Sequence, residues 1–323
     1  MQEIKRIGVL TSGGDAPGMN CAIRSVVRSG LYHGFSVFGI KKGYEGLLNG
    51  DLYEMNHRSV SEIMNRGGTI LQTAISKEFA TPEGVERAKK MAEVFKLDAL
   101  VVIGGDGSFR GARDLANIGL PVIGIPATID NDIGSSDYTI GFDTACNTVV
   151  DAIDKIKDTA YSHERCSVVE VMGRDAGYIA LNCAISDGAE VCILPEKEFD
   201  LDSDIIQPII GCRNKGKHHY IVIIAEGVGG TMEIAQQIKD ITGIKTTTTI
   251  LGHIQRGGSP TVRDRVAASL MGSKATELLK QGIFNQIIAY KGEDIVNYEI
   301  NKALDMKKTI SEHMISTSKI LSL

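Results

Sequence analysis

Short runs of Val, Ile and Leu recur along the chain, each followed by glycine and polar residues and then by a stretch with helical spacing. The runs are Arg6 to Leu10 before Thr11-Ser-Gly-Gly-Asp15, Ala99 to Ile103 before Gly104-Gly-Asp-Gly-Ser108, and Val122 to Ile125 before Pro126-Ala-Thr-Ile-Asp130. The pattern returns at Ser167 to Val171 before Met172-Gly-Arg-Asp175, and at Tyr220 to Ala225 before Glu226-Gly. Continuous apolar runs of this length, bounded by turn residues, read as buried parallel strands, and their alternation with helices reads as βαβ units. Between them, Ala22, Ile23, Val26 and Val27 recur at helical spacing, with Gly30 as the expected stop. Thr81-Pro82 supplies a capping hydroxyl and a proline at the first helical position. Val266, Leu270, Leu278 and Leu279 are expected on one face of a late helix that Gly282 ends. The expected fold class is therefore α/β, doubly wound, with ligands at the carboxyl ends of the strands where the glycine-rich turns lie.

Length and composition sharpen this. At 323 residues the chain exceeds one compact core, which predicts two lobes. No low-complexity linker separates them, and the boundary is placed near residue 140. Hydrophobic residues at 43%, charged residues at 23% and 36 glycines describe a globular α/β protein rather than a disordered or fibrous one. A net charge of −5 argues against a general nucleic-acid binder, so an anion site must be a local concentration of Arg, Lys and backbone N–H groups. The six cysteines, at 21, 146, 166, 183, 192 and 212, form no C-x-x-C pair, which disfavours a metal cluster or disulfide framework and fits a reducing cytosol. The start, Met1 to Arg6, leads straight into a strand without the apolar stretch of a signal peptide, and runs such as Ile221 to Ala225 are too short to cross a bilayer. The expectation is a cytoplasmic protein with neither membrane nor nucleic acid as partner.

The turns carry the candidate chemistry. Thr11-Ser-Gly-Gly-Asp-Ala-Pro-Gly18 follows a strand and opens a helix, so its backbone N–H groups can approach an anion. It lacks the Gly-Lys-Ser/Thr ending of a Walker A loop, and a tight turn explains it nearly as well. In Gly104-Gly-Asp-Gly-Ser-Phe-Arg-Gly111 a lone aspartate after an apolar strand suits a magnesium ion carried on a nucleotide; the alternative is that Asp106 only caps the next helix. If Thr128 to Asp132 is extended, Asp130 and Asp132 share one side, and paired carboxylates suit one of them to accept a hydroxyl proton. An Asx-rich turn is the other reading of that segment. Arg174, Glu226, His253 and Arg256 also follow strands or sit in glycine-rich turns, and their convergence reads as a polyol-phosphate pocket facing a nucleotide.

The strings LTSGGDAPGMN, VIGGDGS, TIDND, IGFDTA, SHER, EVMGR, AEG and LGHIQRGGSP stand in the order and spacing of the bacterial ATP-dependent 6-phosphofructokinases. The chain resembles that family from about residue 5 to its final helix. The resemblance implies two Rossmann-like lobes with mainly parallel sheets: 1–141 with 255–305 for ATP, and 142–254 with 306–323 for the sugar phosphate. It implies transfer of the γ-phosphoryl of ATP, with Mg2+, to fructose 6-phosphate in a homotetramer with active and allosteric sites at subunit contacts. By resemblance Asp130 is the base, with Thr128 beside it, Arg174 stabilises the transferring phosphoryl, Gly14 donates a backbone N–H to it, and Asp106 holds the metal. Tyr44, Ile75, Ser76, Gly105, Gly107, Ser108 and Gly111 fall at further ATP positions. Met172, Gly173, Glu226, His253 and Arg256 match the sugar-phosphate site, with Arg165 and Thr247 at positions that reach the 6-phosphate from a neighbouring subunit. Arg24, Arg28, Lys157, Glu190, Lys215 and Lys217 match an allosteric site for ADP or phosphoenolpyruvate, although a solvated basic face also explains the two arginines. His57 and Arg58 stand near where the family completes that site.

Two departures stand out. Ile75 and Thr247 each replace an arginine of the family, and a transition-state arginine is worth about 10³-fold or more in rate in phosphoryl transfer. Lys77 and Lys245, two residues away, are expected on the same side of an extended strand, where they partly replace the lost charge. The pyrophosphate-dependent branch has a second aspartate after the GGD and a lysine before TIDND, whereas Gly107 and Ala127 stand here, which favours ATP. A regulatory, weakly active paralogue and a kinase for a different sugar phosphate are the remaining alternatives.

Overall fold

A computed structural model of the chain describes residues 4–322; the first three residues of the expected lead-in to the first strand lie outside them. The strands are β1 (Arg6–Thr11), β2 (Ser36–Ile40), β3 (Leu52–Met55), β4 (Ala99–Gly104), β5 (Val122–Pro126), β6 (Cys166–Val171), β7 (Val191–Ile193), β8 (Tyr220–Ala225), β9 (Thr246–Ile250), β10 (Gln286–Lys291) and β11 (Asp294–Glu299). The helices are α1 (Met19–Tyr32), α2 (Gly43–Asn49), α3 (Pro82–Val94), α4 (Asp106–Asn117), α5 (Phe142–His163), α6 (Tyr178–Asp187), α7 (Gln207–Asn214), α8 (Thr231–Thr242), α9 (Val262–Lys280), α10 (Ile300–Asp305) and α11 (Glu312–Leu321). No helix among the described residues is long and apolar enough to cross a membrane.

The chain divides into two units. The first holds the chain up to Ile129, Ile133–Thr144 and Arg256–Lys308; the second holds Asp130–Asp132, Ala145–Gln255 and the chain from Thr309 onward. The first unit contains one sheet in the order β11-β10-β5-β4-β1-β2-β3. Its five inner strands are parallel, and β3 and β11 are antiparallel edges. The second unit contains a wholly parallel sheet in the order β7-β8-β6-β9. Every residue of β4 and β8 is buried, which is why these strands read as unbroken apolar runs rather than as alternating ones. The threonine-rich edge strand β9 is only half-buried and carries no such run.

Helix ends follow local chemistry. The Thr81 hydroxyl accepts from Gly84 N at 3.1 Å and opens α3 at Pro82, as the Thr-Pro pair predicts. Gly30 does not end α1, which continues to Tyr32. A Cβ at Gly30 would stand 2.9 Å from Val37 and 3.3 Å from Ile7, so this glycine lets the helix lie close on β1 and β2. Nor do the α9 residues share one face. Val266 and Leu270 are 50% and 47% exposed while Leu278 and Leu279 are buried, because positions 266 and 278 lie about 120° apart on a helix.

Phe109 on α4 is fully buried in the first unit's core, and a Cβ at Gly124 of β5 would come within 2.8 Å of its ring. Phe109→Ala therefore leaves a cavity that backbone alone lines on one side. The expected cost is about 3–5 kcal/mol, read as a lower urea midpoint with an unchanged slope.

Candidate functional site

In the first unit β1 and β4 pair in parallel, with Thr11 opposite Ile103, so the turns that leave them start from the same sheet edge. Ser12 N donates to Ile103 O at 3.0 Å. A Cβ at Gly104 would lie 2.5 Å from both Ser12 O and Ser108 Oγ, so only glycine permits this approach. The Cβ position of Gly14 is 3.3 Å from the Arg256 guanidinium, and that of Gly105 is 3.7 Å from Thr128 Cβ. Thr73 Oγ1 donates to Gly13 O at 2.6 Å and straps the following segment to the turn. Gly14, Gly105, Ser108, Thr128 and Arg256 thus come together in this unit. Neither α1 nor α4 has a side-chain cap, so first-turn backbone donors face this edge without a side-chain acceptor.

Asp106 opens α4, where the helix field favours an anion. It accepts from Arg110 Nε at 2.7 Å, an exposed pair that holds the guanidinium more firmly protonated. No group of three His, Cys, Asp or Glu residues placed to hold a metal occurs among the described residues. One carboxylate beside uncapped backbone donors fits a magnesium ion that arrives on phosphate, not a resident metal cage. Tyr44 is buried, donates its hydroxyl to Ser108 O at 2.5 Å and stacks on Phe79 with centroids 3.9 Å apart. Burial pushes its phenol well above the ordinary range. A Cβ at Gly111 would meet Phe79 at 2.8 Å and Tyr44 at 2.9 Å, so the stacked rings lie directly on α4. A Cβ at Gly107 would meet nothing within 4 Å, so packing does not require glycine there.

Ile75 is 91% exposed in an irregular segment, next to Ser76, whose hydroxyl accepts from Phe79 N. Lys77 is exposed in a turn and not on a strand with Ile75, because no ladder partner pairs residues 72–77. Lys245 directly precedes β9, where its carbonyl accepts from Cys166 N at 3.0 Å, and Thr247 pairs with Ser167. The segment 128–132 is also not extended: Asn131 adopts φ 53°, which turns the chain between Asp130 and Asp132. Two-residue alternation therefore does not relate these carboxylates; Asp130 is buried and Asp132 half-buried.

In the second unit β6 and β8 end side by side, with Val171 opposite Ala225. Glu226 Oε1 accepts from Gly173 N at 3.2 Å and Arg174 N at 2.7 Å. This carboxylate holds a turn in which Gly173 has φ 141° and Arg174 the left-handed φ 55°. Gln255 is fully buried beneath it. Its Oε1 accepts from Met172 N at 3.1 Å and its Nε2 donates to Gly252 O at 3.0 Å, in the helical turn Gly252–Arg256 that carries His253. Met172, Gly173, Arg174, Glu226 and His253 are thus joined by two side chains, and only the glutamate stood out from the sequence. Arg165 stands before β6, at the opposite end of a six-residue strand, about 20 Å from Met172. Its Nε is buried without a hydrogen-bond partner.

The remaining candidates lie elsewhere. Arg24 and Arg28 are on α1, and Lys215 is exposed at the end of α7. Lys157 donates to Asp187 at 2.8 Å, and Lys217 pairs with Glu190. Both carboxylates are buried, and burial pushes the Asp187 carboxyl up against the opposing pull of Lys157. Two of the expected effector cations therefore already neutralise internal acids. His57 and Arg58 are exposed beyond β3.

A family model described as Phosphofructokinase matches residues 6–279. The chain is 52% identical over 319 residues to ATP-dependent 6-phosphofructokinase 1 of Clostridium perfringens, covering 99% of this chain and 100% of that protein. The phosphofructokinase structure from Saccharomyces cerevisiae superposes with a TM-score of 0.88 at 32% identity, over 98% of this chain and 48% of that one. The Pichia pastoris phosphofructokinase in the T-state gives 0.90 at 33% identity, over 100% and 38%. This chain thus spans less than half the length of the two yeast chains.

Gln255→Leu would leave Met172 N and Gly252 O without their partner, at about 1–3 kcal/mol for each orphaned group. The expected result is a lower urea midpoint and faster amide exchange at Met172, with exchange in β4 unchanged.

Proposed function

We propose, from the premise that this chain belongs to the phosphofructokinase family, that it transfers the γ-phosphoryl group of ATP to the 1-hydroxyl of fructose 6-phosphate. The products are fructose 1,6-bisphosphate and ADP, and the step belongs to glycolysis. The reading rests above all on 52% identity over the whole length of a relative named for this ATP-dependent activity.

In this reading the first unit takes the nucleotide and the second the sugar phosphate. Gly14 offers a backbone N–H to the γ-phosphoryl, and Gly105, Gly107, Ser108, Ser76 and Ile75 border the nucleotide. Tyr44 and Gly111 support α4 from beneath. Mg2+ would be held by Asp106 and would neutralise charge on the phosphates; the exposed Asp106–Arg110 pair is weak enough to open for it. Glu226, Met172, Gly173, His253 and Arg256 orient the sugar phosphate, and Arg165 and Thr247 serve a neighbouring subunit's 6-phosphate. Asp130 takes the proton from the 1-hydroxyl as that oxygen bonds to the γ-phosphorus. The bond from phosphorus to the β,γ-bridging oxygen breaks, and ADP departs with the electron pair. Arg174, with Thr128 on the base side, meets the charge that develops on the transferring group.

Gly107 and Ala127 favour ATP over pyrophosphate, since neither supplies the acid or the amine expected of the other donor class. The protein acts as a cytoplasmic homotetramer, with ADP or phosphoenolpyruvate as effector at Arg24, Arg28, Lys157, Glu190, Lys215 and Lys217. An anion there must share Lys157 and Lys217 with Asp187 and Glu190, so half-effect concentrations are higher than for free lysines. A second reading, a weakly active regulatory paralogue, draws on Ile75, whose exposed side chain offers no cation, and on the uncharged Thr247.

Steady-state turnover on fructose 6-phosphate, with Mg-ATP and pyrophosphate as parallel donors, separates these readings. ATP-dependent bisphosphate formation is expected; no turnover with either donor, with nucleotide binding intact, favours the regulatory reading. Asp130→Asn is expected to lower kcat by about 10²–10⁴-fold with little change in KM for ATP.

A further inference from the structure

The IGFDTA segment has no role in the steps above, yet it is built around a buried charge. Asp264, the third residue of α9, is fully buried. A carboxylate in that position is costly unless it is hydrogen-bonded. Its Oδ1 accepts from Tyr138 Oη at 2.5 Å and Gly141 N at 2.7 Å. Its Oδ2 accepts from Thr144 N at 2.9 Å and Thr144 Oγ1 at 2.5 Å. All four donors come from residues 138–144, so one side chain fixes the whole segment.

That segment lies along the strand end that carries the reactive residues. Ile140 N donates to Pro126 O at 3.1 Å, and Ile140 bridges to Ala127. Thr139 Oγ1 donates to Thr128 O at 2.6 Å. On its other side Ile140 packs on the first glycine-rich turn, its Cγ2 lying 2.6 Å from the Cβ position of Gly18. The strip anchored by Asp264 therefore touches both the turn that holds Gly14 and the residue two before Asp130.

We propose that Asp264 is a positioning residue for phosphoryl transfer: through residues 138–144 it holds Thr128, and with it the approach to Asp130, in the reactive arrangement. The proposal rests on the assignment of Thr128 and Asp130 made above. Misplacement of a reacting group by about 1 Å can cost about 10²-fold in rate while leaving ground-state binding nearly intact.

Two variants test it. Asp264→Asn keeps the shape, but its amide must turn N–H groups toward one of two pairs of donors. Thr139→Val removes the Thr139 hydroxyl and with it the bond to Thr128 O. Each is expected to lower kcat, Asp264→Asn by about 10- to 100-fold, with KM for ATP and for fructose 6-phosphate within about twofold. The double variant is expected to be no slower than Asp264→Asn alone, since both act along one path. Amides of residues 129–132 are expected to exchange at least about tenfold faster in Asp264→Asn, with β8 unchanged. Wild-type kcat in folded Asp264→Asn, additive losses, or unchanged exchange at 129–132 would overturn the proposal. If the wild-type protein does not phosphorylate the sugar, the functional assignment fails instead, and the exchange measurement still decides whether Asp264 holds the segment. If Asp264→Asn does not fold, Thr139→Val alone decides: unaltered kcat overturns the link to Thr128.

Discussion

Parallel pairing of β1 with β4 is the constraint from which the first unit's chemistry follows. It starts two turns from one sheet edge, and the Ser12 to Ile103 bond brings them together. The consequence is a contact that no side chain tolerates, with the Cβ position of Gly104 only 2.5 Å from a backbone oxygen. Once the backbones are that close, the two turns lie side by side at the carboxyl ends of their strands. The Tyr44 and Phe79 rings then need only a flat surface on α4 to support it, and Gly111 provides that surface. An overall acidic chain can offer an anion site here because peptide dipoles at the helix ends add to the local charge of Arg256.

The second unit solves a similar problem differently. Its turn after β6 bends through a left-handed Arg174, an uncommon conformation for a residue with a side chain. Acceptors placed from two other segments offset that cost: Glu226, just past β8, takes the N–H groups of Gly173 and Arg174, and Gln255 takes that of Met172. The complementary ends of the Gln255 amide also fix its orientation, since the oxygen must face an N–H and the nitrogen a carbonyl.

What was legible in the sequence follows from what each signal measures. Apolar runs identify strands buried on both faces, so β1, β4, β5, β6 and β8 stand out, while half-buried β9 does not. Glycine marks backbone freedom but not its use: Gly30 reads as a helix stop and instead serves helix-to-sheet contact. Alternation fails at 128–132 because Asn131 takes the left-handed region that asparagine tolerates. Asp264 and Gln255 are invisible to any local pattern. Their partners lie as far as 126 and 83 residues away in sequence, and nothing nearby distinguishes a buried anchor from a surface polar residue.

In the proposed reading, phosphate charge is met without the two arginines expected at Ile75 and Thr247. Lys77 is no simple substitute for an arginine at position 75, because the chain turns there and direction along an irregular segment does not repeat every second residue. Lys157 and Lys217 are committed to buried acids, and an ion that leaves such a partner exposes it to desolvation. One cation is placed closely against a glycine-rich turn: the Arg256 guanidinium rests 3.3 Å from the Cβ position of Gly14. With its planar fork this one residue can meet two phosphate oxygens. Fixed donors of this kind depend on position more than on charge, and so on the buried carboxylate that keeps the neighbouring strand end in place.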